Sequence, residues 1–408
     1  MAKVDRREPR RRQQRIDTTA VTLRTILDHG PVARSTIARA TGLSPATITG
    51  HVAALCSTGL ARELPISTVN GLGRPHVPVD LDLGLVVGGI HIGLEETTVA
   101  LLDLRGRVRA QHLAPHGGER PESVVAKAAE ALRDLWLQGT PTARLLGVGV
   151  ATGGWVDPRA GVLAEHVLLG WREVEVAALL QSILDLPVRV DSHARSLARA
   201  EQLFGDVRSR ESVLTLFVGN VVEAAFAIGD DTVRGPRSQA GVVAHLPVPG
   251  SDVQCGCGRI GCLQAVVSER RVIQLALEAG CIERPHIDEV VAAAARGDGH
   301  ARAILRDRAV RVGRAAATIA DLLDPALVVV MENGVIRFPD CLDALRSEFS
   351  RNAASERDPA DMVVATSFPD DRLAIAAGGV ILDAVYRDPL AFGGPSGSLS
   401  DGRASKTT

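Results

Sequence analysis

The sequence predicts two units, a small helical domain at the N-terminus and a larger two-lobed α/β body behind it. Residues 18–82 contain three short helical segments, separated by a Gly-Pro stop and by a glycine turn. In residues 84–390, apolar strand-like runs alternate with helical periodicity, a pattern typical of α/β proteins with a cleft between two lobes. A length of 408 residues accommodates two or three such units, each with its own core.

The first unit follows the order helix, helix, glycine turn, helix. An apolar stripe over residues 21–27 stops at Gly30-Pro31, and a second helical segment ends at Gly42. Ser44-Pro45 starts the third helix, because a hydroxyl N-cap followed by proline at N1 favours helix initiation. This is the helix-turn-helix plan, whose last helix enters the major groove of DNA. The residues expected to face DNA are small or polar: Ser44, Pro45, Ala46, Thr47, Thr49, Gly50 and His51.

Two short strands are expected after the third helix, over residues 60–66 and 76–81. The turn-rich stretch between them contains Gly73-Arg74-Pro75 and would form a wing. Arg74 at its tip is a candidate to enter the minor groove of DNA. The alternative interpretation is a small helical subdomain that mediates protein contacts.

Basic side chains concentrate near the N-terminus. Residues 1–80 hold 12 basic and 6 acidic side chains, out of totals of 46 and 48, so this part is positive and the remainder negative. The asymmetry indicates a polyanion as the partner of the first unit. Residues 1–17 are predicted to be a basic, disordered arm, which is compatible with contacts to DNA phosphates.

Three of the six cysteines fall within eight positions, at Cys255, Cys257 and Cys262, and His245 precedes them by ten residues. Glycines between the cysteines let the backbone fold tightly around one centre. Three thiolates and one imidazole suit tetrahedral Zn²⁺, and four protein ligands leave no position open for a catalytic water. A disulfide is the alternative, although three cysteines cannot all pair. We therefore expect one structural zinc ion per chain.

The expected elements of the body alternate in type. Strands are predicted at 85–92, 98–104, 145–150, 188–190, 213–218, 223–228 and 326–331. Helices are predicted at 122–137, 174–184, 194–203, 308–323 and 372–386. The tail, residues 391–408, is rich in glycine and serine and is predicted to be disordered.

The compartment follows from what the sequence lacks. No apolar run reaches the roughly 18 residues of a membrane span, and the polar N-terminus does not resemble a signal peptide. Few cysteines, three of them clustered, suit a reducing environment. The sequence therefore predicts a cytoplasmic protein that has no membrane partner.

The chain resembles the winged-helix repressor branch of the ROK family (repressors, open reading frames and sugar kinases). The resemblance rests on Ala240-Gly241, His245, the segment Cys255–Cys262, Gly73-Arg74-Pro75 and Val190–Arg195, and it extends over most of the chain. It implies an actin-like, hexokinase-like fold of two lobes. It also implies a homodimer or homotetramer, and a sugar effector in the cleft between the lobes.

The positions that serve catalysis in the kinases of this family are altered. Such kinases carry Asp-x-Gly-Gly-Thr after the first strand, whereas this chain has His91–Glu96, which brings two carboxylates into a phosphate loop. Val218–Asn220 and Met331–Asn333 also depart from the family's glycine turns, and His193 replaces the catalytic aspartate. We predict no kinase activity. An autoregulated sugar kinase is the enzyme alternative.

The resemblance also indicates where a ligand would bind. The candidate ligand-binding residues are Ser192, His193, Arg195, His245 and Gln264. Ser192, His193 and Gln264 replace polar residues of the family's sugar site, and Arg195 follows the motif. Because the family's carboxylates are missing, either the pocket takes a modified ligand, such as an acidic or phosphorylated sugar, or it is vestigial.

Together these features predict a sequence-specific transcriptional regulator. We expect a repressor of sugar or amino-sugar genes that binds a palindromic double-stranded DNA operator and is released by a small-molecule effector. Two further alternatives remain open, a repressor that needs no effector and a regulator that responds to zinc.

Overall fold

A computed structural model describes residues 7–65, 77–140 and 142–393. The N-terminal domain consists of three helices and a small sheet. Its elements are α1 (Arg7–His29), β1 (Val32–Ala33), α2 (Arg34–Thr41), α3 (Pro45–Ser57), β2 (Ala61–Glu63) and β3 (Pro78–Leu81). Helices α2 and α3 form the predicted helix-turn-helix. Gly42 between them has φ of 70°, in the left-handed region that glycine adopts without strain.

Helix α1 begins at Arg7, so the prediction of a disordered arm over residues 1–17 is wrong from Arg7 onward. Arginine, glutamine and glutamate favour helices, and a helix nucleated by the apolar stripe at 21–27 propagates backwards through them at little cost. Sequence reasoning read the absence of apolar periodicity as disorder. The remaining part of the arm, residues 1–6, lies outside the described residues.

The small sheet has the order β1-β3-β2, with β2 and β3 antiparallel as the two strands of a wing. Strand β1 pairs with the other edge of β3 and was not predicted. Residues 66–76 lie outside the described residues. The predicted wing tip, with Arg74, therefore remains a sequence expectation.

The first lobe of the body is a five-stranded sheet with the order β11-β7-β4-β5-β6. Its elements are β4 (Leu85–Ile92), β5 (Glu96–Asp103), β6 (Val108–Pro115), α4 (Pro121–Gly139), β7 (Arg144–Thr152), β8 (Trp155–Asp157), β9 (Val162–His166), β10 (Trp171–Val174), α5 (Val176–Leu184), β11 (Val188–Ser192) and α6 (His193–Phe204). Strands β7 and β11 run parallel to β4, and this directs their C-terminal ends, and the loops behind them, to one edge of the sheet.

The second lobe repeats the plan with the strand order β14-β13-β12-β15-β16. A 3-10 turn at Val207–Arg210 leads into this lobe, and a second 3-10 turn, Pro389–Phe392, follows the last helix of the chain. Its elements are β12 (Ser212–Val218), β13 (Val222–Ile228), β14 (Asp231–Thr232), α7 (Leu263–Val267), α8 (Glu269–Glu278), α9 (Ile287–Ala295), α10 (Gly299–Leu323), β15 (Leu327–Met331), α11 (Asn333–Arg337), α12 (Pro339–Asn352), α13 (Pro359–Met362) and β16 (Val363–Ala365). The last helix, α14 (Arg372–Arg387), returns to pack on the sheet of the first lobe.

One apolar core joins the N-terminal domain to the first lobe. It contains Leu23 and Ile26 of α1 together with Leu203 at the end of α6 and Tyr386 of α14. A hydrogen bond accompanies this packing: the guanidinium of Arg105 in the first lobe donates to the carbonyl oxygen of Leu27 on α1 at 2.8 Å. The two units that the sequence predicts as separate domains are thus packed together. Within the described residues, no helix has the length and apolarity that a bilayer crossing demands.

Candidate functional site

Helix α3 presents one small, polar surface to solvent. The Ser44 hydroxyl accepts a hydrogen bond from the backbone N–H of Thr47 at 3.1 Å, which is the N-cap predicted from the sequence. The Thr49 hydroxyl donates back to the carbonyl oxygen of Pro45 at 2.8 Å. Six of the seven residues predicted to face DNA are exposed: Ser44, Pro45, Ala46, Thr47, Thr49 and Gly50. The opposite face of α3 is buried in the domain core through Ile48, Val52 and Leu55.

His51 is the exception, and its assignment as an outward residue is wrong. Only 9% of His51 is exposed, and its Nδ1 lies 2.8 Å from the hydroxyl of Thr19 on α1. Burial is the main cause that lowers the pKa of His51. Position 51 lies three residues after the core residue Ile48, so helical spacing places it on the inner face. His51 therefore joins α3 to α1.

The four predicted metal ligands converge. The ligand atoms of His245, Cys255, Cys257 and Cys262 all lie within 4.8 Å of one another. The sulfur atoms of Cys257 and Cys262 are 3.7 Å apart, too far for a disulfide. This spacing fits two thiolates on one tetrahedral zinc, since Zn–S bonds of about 2.3 Å place sulfurs about 3.8 Å apart. The residues present therefore fit Zn²⁺.

A turn anchors this cluster on the second lobe. Gly241 has φ of 90°, and a Cβ there would lie 1.8 Å from the carbonyl oxygen of Ala224 on β13. Only glycine allows the chain to approach the strand so closely before it turns toward His245. The Ala240-Gly241 pair thus positions the first ligand of the metal site.

A cavity of about 610 Å³ lies between the two lobes. The first lobe contributes the loop after β4, the start of α6 and the start of α14. The second lobe contributes the turn after β12 and the first residues of α8, α9 and α11. Its polar and charged lining residues are His91, Glu95, Glu96, Thr98, His166, His193, Asn220, Glu269, His286, Asp288, Asn333 and Arg372.

Three stacked rings form the inner wall of the cavity. The His193 ring lies between His91 and Phe217, with ring centroids 4.5 Å and 4.4 Å away. Neither imidazole has a hydrogen-bond partner for either ring nitrogen within the described part of the chain. Burial lowers the pKa of His91 to about 3 and lowers that of His193 well below its usual value. Both rings are therefore neutral at physiological pH.

The far wall is polar and partly acidic. The amide of Asn333 donates to Glu269 at 2.8 Å and accepts from Arg372 at 2.8 Å. Behind this wall, Arg308 donates to Glu332 at 2.7 Å in an ion pair whose side chains are 1% and 0% exposed. Glu332 also caps α11, so its replacement of a family glycine has a structural role.

Only one of the five predicted ligand-binding residues, His193, lines the cavity. His245 belongs to the metal cluster. Gln264 accepts a hydrogen bond from the backbone N–H of Val222 at 3.2 Å. Ser192 is buried at the junction of β11 and α6.

Arg195 does not point at a ligand, and its predicted role is corrected. Its guanidinium donates to Asp191 at 2.5 Å and to the carbonyl oxygens of Ser238 and Val156, both at 3.1 Å. Arg195 is 4% exposed, so these contacts occupy it fully. It lies four residues after Asp191, which is in β11, and this short spacing across the junction of β11 and α6 is the signal that sequence reasoning missed.

The cavity contains residues that the sequence did not single out as a site, namely Asn220, Glu269 and Arg372. Asn220 was visible as a departure from the glycine turn of the family. Glu269 and Arg372 are the first residues of α8 and α14, and neither belongs to a motif that the sequence analysis recognised, although Glu269 lies only seven residues after Cys262. Another carboxylate, Glu223, accepts a hydrogen bond from Gly154 N–H of the first lobe at 2.8 Å, and burial raises its pKa to about 7.

We expect acid to destabilise the chain through His91. The pKa of His91 is lowered to about 3, so between pH 3 and 6.5 the unfolded chain binds a proton that the folded chain does not. The free energy of unfolding therefore falls as the pH is lowered through this range. Between pH 7 and pH 5 the loss from this group should be about 2 kcal/mol.

The His91→Phe variant tests this expectation, because phenylalanine keeps the ring stack and cannot titrate. Urea unfolding at pH 7 and pH 5 should show a smaller acid loss in this variant than in the wild type. A His112→Phe variant, at an exposed position of β6, is the matched control and should behave as the wild type. Equal acid losses in all three proteins would contradict the assignment.

The chain combines a helix-turn-helix domain with a two-lobed α/β body that has a polar cleft. This combination defines a DNA-binding regulator built on a kinase-like fold. The chain belongs to the ROK family, whose profile matches residues 87–382, and this confirms the predicted family. A protein of Mycobacterium tuberculosis named as a transcriptional regulator is 34% identical over 396 residues, which cover 93% of this chain and 88% of the relative. A putative xylose repressor of Caldicellulosiruptor sp. is 27% identical over 323 residues, which cover 76% of this chain and 81% of the relative.

The fold is confirmed by a solved structure. A crystal structure of a ROK family transcriptional regulator, a homologue of the Escherichia coli MLC protein, superposes with a TM-score of 0.77 at 20% identity. The match covers 93% of this chain and 98% of that structure. The relatives confirm the prediction of a transcriptional regulator.

Proposed function

We propose that this chain is a cytoplasmic, sequence-specific DNA-binding repressor of sugar-related genes, which a small-molecule effector in the interlobe cavity releases from its operator. The observation that carries the proposal is α3, a capped helix that exposes six small residues on a helix-turn-helix. The name of the xylose repressor relative supports the link to sugars. As a homodimer or homotetramer, the protein would present two copies of α3 to an inverted repeat.

Zinc completes the proposal as a structural ion. His245, Cys255, Cys257 and Cys262 would hold it, and the fourfold coordination would fix the loop before α7 against the second lobe. Cys255 and Cys262 are buried whereas Cys257 is exposed, so the metal would lie at the edge of the lobe. The site supplies rigidity and no catalytic group.

Helix α6 supplies a direct route from the cavity to the DNA-binding domain. It begins at His193 in the cavity wall and ends at Phe204, a distance of about 18 Å for twelve residues. Near its C-terminal end, the carbonyl oxygen of Gln202 accepts a hydrogen bond from Arg24 of α1. One residue earlier, the Glu201 carboxylate accepts from Thr366 and Ser367 of the second lobe. These contacts support the proposal that a shift of either lobe moves α1.

We expect no ATP-dependent phosphorylation of any hexose, either by the wild type or by the double variant His193→Asp/Val242→Glu. Glu95 and Glu96 place negative charge where a kinase holds phosphates, and this repulsion remains when the carboxylates of the sugar site are restored. The measurement is ADP release with a panel of hexoses. Turnover in either protein would contradict the proposal and favour an autoregulated kinase.

The proposed function is tested by selection of DNA from a random pool with the full-length protein. We expect enrichment of one sequence with two-fold symmetry, whose half-sites reflect the symmetry of the protein. Enrichment without a common sequence, or no retained DNA, would overturn the proposal.

A further inference from the structure

Several buried polar atoms without hydrogen-bond partners belong to residues that line the interlobe cavity. Both ring nitrogens of His91 and of His193, the amide oxygen of Asn220 and Nε of Arg372 have no hydrogen-bond partner within the described residues. All four residues line the cavity. An unpaired buried polar group costs about 1–3 kcal/mol, so such groups persist where a ligand or water satisfies them.

The neutral imidazoles of His91 and His193 determine which hydrogen-bonding groups a ligand must carry to pair with them. Each ring offers one N–H donor and one acceptor nitrogen, so the pair requires a ligand that both donates and accepts. Hydroxyl groups do both, and ammonium groups donate. His91 and His193 are 5% and 4% exposed, and their stacking occupies the ring faces, whereas the hydrogen bonds of an imidazole lie in the plane of its ring. Both residues line the cavity, and His193 is the first residue of α6.

The charge of the cavity selects against anions. Four carboxylates line it, on Glu95, Glu96, Glu269 and Asp288, against the single guanidinium of Arg372. That guanidinium already donates to the carbonyl oxygen of Pro369 and to Asn333, both at 2.8 Å. A phosphate would meet four carboxyl groups and a single guanidinium, whereas an ammonium group would gain acceptors.

We propose that the cavity binds a small organic cation, an amine that also carries hydroxyl groups. The ammonium group pairs with the carboxylates of Glu95, Glu96 and Glu269, and the hydroxyl groups pair with His91 and His193. At about 610 Å³ the cavity is large enough for one sugar-sized molecule. This inference rests on the proposed function, in which the cavity is the effector site, and it differs from both alternatives offered by the sequence, an acidic or phosphorylated sugar and a vestigial pocket.

Three sugars that share one ring and differ in charge test the proposal. Glucosamine, glucose and glucose 6-phosphate are titrated into the full-length protein by calorimetry at pH 7, with ethanolamine as a second amine. We expect an amine to bind at least about tenfold more tightly than glucose, and glucose 6-phosphate to bind most weakly. Tighter binding of the phosphate, or no binding of either amine, would overturn the proposal.

Two variants assign the preference to the cavity. Glu95→Gln, at an exposed loop position that tolerates the change, and Glu269→Gln should each reduce the preference for the amine about tenfold. Glu122→Gln, at an exposed position of α4, is the matched control and should leave it unchanged. An unchanged preference in the cavity variants would overturn the site.

DNA binding by the same preparation separates the two proposals. If the protein selects a specific DNA sequence but binds neither amine, only the proposal of a cation site is contradicted. Failure to select DNA removes the proposed function, whatever the calorimetry shows.

Discussion

Replacing Cys257 with serine is expected to remove the zinc ion and to lower the free energy of unfolding by about 4 kcal/mol or more, as loss of a structural metal does. Cys257 is exposed, so the substitution removes a thiolate and very little packing. The Gly241 turn and the loop of residues 245–262 would then lack the ion that holds them. Metal content by mass spectrometry and urea unfolding should change together.

The control for this experiment is Cys281→Ser, at a half-buried cysteine outside the metal cluster. This variant should keep its zinc and lose little stability. If Cys257→Ser lost zinc and remained as stable as the wild type, the site would not be structural. Reversible dependence of DNA affinity on free zinc would then favour a zinc-responsive regulator.

Replacing Ala46 with glutamate is expected to weaken binding to the selected DNA sequence about 100-fold, or about 3 kcal/mol. Ala46 is exposed in the first turn of α3, where the N-terminal residues of a recognition helix contact base edges. A carboxylate there would face phosphates and acceptor atoms in the major groove. The change leaves the core of the domain intact, so the fold should be retained.

Fluorescence anisotropy with labelled DNA measures this loss. Ala295→Glu is the matched control, since it adds the same charge at an exposed position of α9 in the second lobe. That variant should bind DNA nearly as the wild type does. Equal weakening of DNA binding in both variants would mean that the net charge of the protein determines its DNA affinity. This result would contradict the assignment of α3 as the recognition helix.

Elements with strong local signals were predictable from the sequence. Strand β4 has the predicted bounds of residues 85–92, because seven apolar or small residues and His91 lie between a turn and a glycine. The start of α3 was given by Ser44-Pro45 and the metal cluster by the spacing of the cysteines. In each case, neighbouring residues along the chain carry the information.

Elements stabilised by distant contacts were missed. Strand β6 is an exposed edge strand with few apolar residues, so its sequence Val108–Pro115 has no clear alternation. Strands β9 and β10 are short and pair with each other across a turn. The partners that define these strands lie outside the windows in which periodicity can be read.

The candidate ligand site shows the same limit. The resemblance placed the ligand near Gln264 and His245, which the structure ties to a backbone N–H and to the metal cluster. The cavity instead contains Glu269 and Arg372, which the fold brings together from 103 positions apart in the chain. No local sequence pattern predicts that Glu269 and Arg372 lie close together, since their proximity depends on how α8 and α14 approach the cleft.

The chain has a kinase-like scaffold in which positions that serve catalysis in the kinases of the family hold other residues. His193 stacks between His91 and Phe217, and Glu332 pairs with Arg308 in the interior. The cleft remains open and polar, and α6 connects it to the DNA-binding domain. We therefore expect binding energy at the cleft to be used to shift α1 and α3 and not to stabilise a transition state.

The most direct test is the affinity of the full-length protein for the selected DNA and for a shuffled DNA of the same composition, at one fixed salt concentration. A sequence-specific regulator is expected to bind the selected DNA at least about 1,000-fold more tightly. Equal affinity for the two DNAs would contradict the central claim that this chain reads a specific operator.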